Sequence, residues 1–200
     1  MNKFLVSTLA MLVVVSFGSV FAQSNTASHD VRVRIPDLLM LRIVDGTGNN
    51  TVAAPVVGFD FDTNAAGRAA YMTVVEDGAA ADLEPTSSNF GDIVVLSNRA
   101  SWTVDVAAAD FTFTDNVATD GVDVDAYGLA LSDISVAITG ADTSVGASFT
   151  LGTNQDIASG SRTTGWRSLG IAASGYRITV NGDEAPGTYV ATVTYTVTAP

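Results

Sequence analysis

The sequence predicts an all-β protein, an antiparallel sandwich of two sheets with Ig-like or jelly-roll-like Greek-key connections. Two cleanly alternating segments near the ends, and about nine or ten short apolar runs separated by Gly, Asp and Asn turns, point to it. No convincing amphipathic helix interrupts the pattern, and a single barrel is the fallback. The clearest segment covers residues 189–198, where Tyr189, Ala191, Val193, Tyr195 and Val197 alternate with Val190, Thr192, Thr194, Thr196 and Thr198. Because successive side chains of a strand point to opposite faces, this lays an aromatic and aliphatic row into a core and a mainly threonine row outward.

At the other end, residues 29–35 place Val31, Val33 and Ile35 on one face and Arg32 and Arg34 on the other, the pattern of a first strand. Pro36 and Asp37 interrupt it, at a place suited to crossing between sheets. Residues 38–44 form the next run, ended by the turn-rich residues 45–50. Residues 56–61 and 70–75 read as strands. Residues 93–96 and 101–106 are spaced for a hairpin with the loop 97–100. Phe111 and Phe113 alternate with threonines before an acidic loop, and residues 129–139 resume the alternation with one slip of phase, where a bulge or bend is expected. Residues 148–151 are a short strand and 159–165 a loop. Residues 175–180 are expected to pair with the final strand across 181–187, with Asn181 and Gly182 as the turn.

The charged start at Lys3, the apolar run that follows and the small residues before Gln23 have the form of a secretory signal peptide over residues 1–22. The apolar run is short for a bilayer span, which needs about 20 residues. Residues 23–200 are then a single β-sandwich domain of 178 residues, 200 less 22. Without Lys3 the chain keeps 8 arginines against 21 acids, a formal charge of −13, which disfavours nucleic acid as a partner. Eighteen of the 21 acids are Asp, a residue of turns more than of helices. With no cysteine, the fold is not stapled by disulfides, and thiolate metal sites and cysteine nucleophiles are excluded.

No enzyme motif stands out. Ser28, His29 and Asp30 have the residue types of a hydrolase triad, but neighbours on a strand diverge to opposite faces. Paired carboxylates suited to glycoside hydrolysis need a cleft that a small sandwich does not favour. Asp115, Asp120, Asp123 and Asp125 crowd one loop and offer oxygens to a hard cation, so calcium is the only cofactor allowed for, against the simpler reading of a solvated loop. Asp60 and Asp62, flanking Phe61, read as a solvent face. Trp102 sits in an apolar strand and reads first as core; Trp166, in a polar stretch, is the better candidate to stack on a sugar ring.

Trp102, Thr103 and Val104 on a strand, followed far downstream by Tyr189, Val193, Thr194, Tyr195, Val197 and Pro200, resemble the WxL domain of bacterial cell-surface proteins. That family carries two Trp-x-Leu motifs, the second in a terminal strand closing near a proline. Here Val104 stands for the first Leu, and Tyr195 and Val197 stand for the second Trp and Leu. The resemblance covers mostly residues 93–106 and 170–200; it implies association with the cell wall and adds Tyr195 to the ligand-binding candidates. The run from Pro186 into the terminal strand is also similar to spore-coat-U-type and chaperone–usher pilin subunits, which commonly contain cysteine. In those, an incomplete sandwich accepts a neighbour's strand; residues 29–35 suit a donor, though strand one of a complete sandwich is simpler.

The expectation is therefore an exported, non-catalytic protein of a bacterial envelope or extracellular surface, structural, adhesive or wall-associating. A coat-like or pilus-like subunit assembling by strand exchange and a small carbohydrate-binding module are the alternatives. Its partners would be an envelope polymer, a surface protein or further copies of itself, with no membrane span after signal cleavage.

Overall fold

The computed structural model describes residues 29–115 and 127–200. Residues 1–22, read as a signal peptide, and Asp120, Asp123 and Asp125 lie outside them, as does the side chain of Asp115. A boundary between Pro36 and Asp37 sets the N-terminal residues apart from a unit spanning Asp37–Pro200. On the N-terminal side, residues 29–36 carry neither strand nor helix, and Val31, Val33 and Ile35 are 76%, 78% and 76% exposed. The expected first strand is thus corrected: alternation is present, but no ladder accompanies it.

The second unit is mostly β. Its strands are β1 (Leu39–Val44), β2 (Val57–Gly58), β3 (Ala81–Leu83), β4 (Ser87–Ser88), β5 (Asp92–Ser97), β6 (Trp102–Ala108), β7 (Thr112–Asp115) and β8 (Ile134–Ala137). They continue as β9 (Ser144–Val145), β10 (Ser148–Thr150), β11 (Gln155–Gly160), β12 (Arg167–Ser168), β13 (Tyr176–Val180), β14 (Gly187–Val190) and β15 (Val193–Thr198). All pairings are antiparallel. One sheet runs β1-β5-β12, a second β10-β8-β13-β3 and a third β15-β6-β11-β9, while β14-β7 and β2-β4 form two-stranded ribbons.

The core follows the period of two. On β6, Trp102, Val104 and Val106 are buried; on β13, Tyr176, Ile178 and Val180; on β8, Ile134 and Val136. With Ile93 and Val95 of β5 they belong to a single hydrophobic cluster that draws on all three larger sheets. The slip of phase expected in residues 129–139 is a 3-10 turn, Leu131–Asp133, that delivers the chain into β8.

Two expected hairpins do not form. Although β5 and β6 are neighbours in sequence, β5 lies between β1 and β12, and β6 between β15 and β11. Both are interior strands whose two edges are occupied by distant partners, so the short link between them carries the chain from one sheet to another. Likewise β13 pairs with β8 and β3, not with β15. Gly182 does turn there with φ of 88°, the left-handed region that glycine enters without penalty.

The other correction is a helix, α1 (Ala65–Asp77), where residues 70–75 read as a strand. Asn64 caps it, its side chain accepting from the Gly67 N–H at 2.9 Å, and Gly78 ends it in the left-handed conformation with its N–H on the Val74 carbonyl. Ala65, Ala66, Ala69 and Ala70 supply strong helix formers between these caps. Gly67 is needed for packing, since a Cβ there would collide with the Asp60 carbonyl and the Thr86 methyl. No helix among the described residues is long and apolar enough to cross a membrane.

Candidate functional site

The terminal strand organises the best-defined surface. β15 lies against β6 with Val193, Tyr195 and Val197 opposite Ala108, Val106 and Val104, and Thr194, Thr196 and Thr198 opposite Ala107, Asp105 and Thr103. The first row is half-buried over the core and the threonine row is exposed, as the alternation predicts. Among the described residues β15 pairs with β6 alone, so its other edge carries no ladder. The sheet order thus makes β15 an edge strand six residues long.

Tyr195 is fixed from inside the protein. Its hydroxyl lies 2.7 Å from that of Tyr176, and burial raises the pKa of both phenols, that of Tyr195 far above the ordinary range. A side chain so engaged anchors the edge strand to the core through its hydroxyl, while the residue remains half-buried. Trp102 is 1% exposed, its indole N–H donates to the Ser161 carbonyl at 2.8 Å, and Gly160 of β11 passes so close to the ring that a Cβ would collide with it. A shallow hollow of about 520 Å³ opens there, lined by Ser101, Thr103, Ser144, Ser159 and Ser161 and, at its floor, by the almost fully buried Trp102.

Trp166 is half-buried and sits elsewhere, beside β12; the Arg42 guanidinium of β1 stacks over its ring at 4.2 Å. One face of this sugar-stacking candidate is therefore taken by a cation. Trp166, Trp102 and Tyr195 do not converge on one site.

On the outward face of the third sheet, Asp105 of β6 stands opposite Asp156 of β11. Their carboxyls share a hydrogen bond, which with some desolvation and the repulsion of Asp156 raises the Asp105 pKa above its ordinary value. Neither belongs to an ion pair among the described residues. Sequence reading missed this pair: alternation on β6 puts Asp105 outward, but nothing local says that β11 is the neighbour. Among the described residues no group of three or more His, Asp or Glu side chains is placed to hold a metal ion.

Other aspartates serve turns. Asp45 accepts from the N–H and hydroxyl of Thr47 and from the Asn50 amide, which holds its carboxyl far below the usual range. Asp60 accepts from the hydroxyl and N–H of Thr63 and from the N–H of Asp62; these bonds pull its pKa down to about 2. Asp60 thus shapes the entry to α1.

Set beside known proteins, the chain matches no family model, no curated protein and no solved structure.

Proposed function

We propose that the chain is an exported, non-catalytic structural protein of a cell envelope or extracellular surface, a β-sandwich that acts by associating through its strands. The observation that carries this reading is the exposure of Val31, Val33 and Ile35, each about three-quarters open to solvent, on a segment with the alternation of a strand and no strand partner among the described residues. Apolar surface left in water forgoes about 25 cal/mol per Å² of burial, so a regular exposed row of this kind is suited to a partner surface. The single core drawing on three antiparallel sheets supports a sandwich. The signal-like residues 1–22 and the likeness of 93–106 and 170–200 to the WxL pattern support an envelope address.

Light scattering on the exported protein, with and without calcium and across concentration, tests the reading. A mass that climbs with concentration is expected; a monomer throughout would sink it.

A further inference from the structure

We propose that the aromatic hollow between the β7–β14 ribbon and the chain leading into β8 binds a quaternary ammonium ion, the trimethylated cation of choline-like compounds. The site is separate from the segment invoked above for association and does not depend on it. Its walls, its charge and the chemistry of its lining carry the assignment.

The walls follow from the strand register. Tyr189 of β14 stands opposite Phe113 of β7, and Phe111 lies two residues before Phe113, so all three rings fall on one face of the ribbon. The ring centroids of Phe113 and Tyr189 are 4.8 Å apart with the planes inclined by 53°, and those of Phe111 and Tyr189 are 5.8 Å apart with an inclination of 78°. Rings set at such angles face different ways. With Leu129 and Ala130 they line a hollow of about 350 Å³, at the small end of ligand sites, which run from about 300 to 1,000 Å³. Two contacts hold the rings in place: the Tyr189 hydroxyl donates to the Ala185 carbonyl at 2.8 Å, and Gly187 lies so close to the Phe113 ring that a Cβ would collide with it.

The charge suits a cation. Asp110 lines the same hollow, is exposed and belongs to no ion pair among the described residues. Residues 100–161 hold nine aspartates and no basic residue, and the chain has no lysine after Lys3. The chain's own cation–π contact among the described residues, Arg42 over Trp166, uses none of these rings. An aromatic face attracts a cation within about 6 Å of its centroid, so a carboxylate beside three rings favours a cation from outside the chain.

The class of cation follows from the lining. Apart from the Tyr189 hydroxyl, whose proton is committed to Ala185, Asp110 is the one polar side chain there among the described residues. A primary ammonium brings three donors that each ask for an acceptor. A quaternary ammonium has none to satisfy, and its methyl groups pack directly on the rings.

The test titrates choline into the protein spanning residues 23–200, with ethanolamine and the uncharged carbon isostere of choline as comparisons, and phosphatidylcholine vesicles beside free choline. Choline is expected to bind at least about tenfold more tightly than the isostere, and to lose about two- to fivefold in affinity in Phe111→Leu and in Asp110→Asn, the second at an exposed position where folding is spared. Asp77→Asn, the same change of charge at the exposed end of α1, should leave choline binding unaltered. Binding to the vesicles as well as to free choline would support the site with a lipid headgroup as the source, and binding to free choline alone would support it with a soluble cation. Equal affinity for choline and the isostere would overturn a cation site, and tighter binding of ethanolamine would overturn the quaternary class. No binding up to about 100 mM choline, or binding that ignores both substitutions, would overturn the hollow itself.

Discussion

Residues 29–35 and β15 carry the same signature, three apolar side chains at alternate positions, yet one segment stands in solvent and the other lies half-buried on a sheet. β15 has β6 beside it in register over six residue pairs, and its Tyr195 is locked to Tyr176. Residues 29–35 have no strand partner among the described residues. Alternation therefore encodes which face of a strand is apolar, and leaves open where the partner comes from. In β15 the partner is distant in the same chain; for residues 29–35 none is found among the described residues.

The comparison is sharpened most by truncating side chains on its two sides. Trp102→Ala, on the strand that supports β15, should cost about 3–5 kcal/mol, whereas Val31→Ala should move the unfolding free energy of the monomer by less than about 0.5 kcal/mol. Chemical denaturation at a concentration too low for association reads both. Equal losses would show that residues 29–35 are packed in the monomer after all.

A smaller effect is expected from Tyr195→Phe, which keeps the ring and removes the bond to Tyr176. The Tyr176 hydroxyl is then left partnerless where it is buried, at a cost of about 1–2 kcal/mol. No loss in thermal unfolding would mean that the hydroxyl pair does not hold the edge strand.

Acid should loosen the turn before α1. Because the folded state lowers the Asp60 pKa from the ordinary 3.8 to about 2, its contribution is complete above about pH 4 and disappears as pH falls toward 2. Thr63→Val, which removes one of its donors, should flatten that part of the stability profile. An unchanged slope between pH 4 and 2 would count against this role.

The smallest effect expected belongs to the carboxyl pair beside β15. Asp105 has a raised pKa in the fold, so the pair is tolerated best at low pH and loses stability as pH rises through that value. Asp105→Asn should therefore raise the melting temperature slightly at pH 7 and leave it unchanged below about pH 4. A lower melting temperature at pH 7 would mean that the pair stabilises the monomer.

Strand faces were readable because burial depends on a local period of two: Trp102, Val104 and Val106, and Val193, Tyr195 and Val197, lie on the faces their alternation predicts. Pairing was not readable from adjacent residues. β5 and β6 are close in sequence but each sits between distant strands, so the local hairpin rule has no purchase there. The helix was missed because Met72, Thr73, Val74 and Val75 resemble a strand when taken alone; Asn64, Gly78 and the alanines between them held the opposing signal. At the candidate surface, the apolar row and the threonine row of β15 were legible. The Tyr176–Tyr195 and Asp105–Asp156 partnerships were not, because each joins strands that only the folded sheet order brings together.

The most direct measurement is the mass of the protein spanning residues 23–200 in solution, followed by light scattering from dilute to concentrated samples. Association through exposed strands requires a mass that rises above the monomer as concentration increases and falls back on dilution. A mass that stays monomeric across the whole range would contradict it.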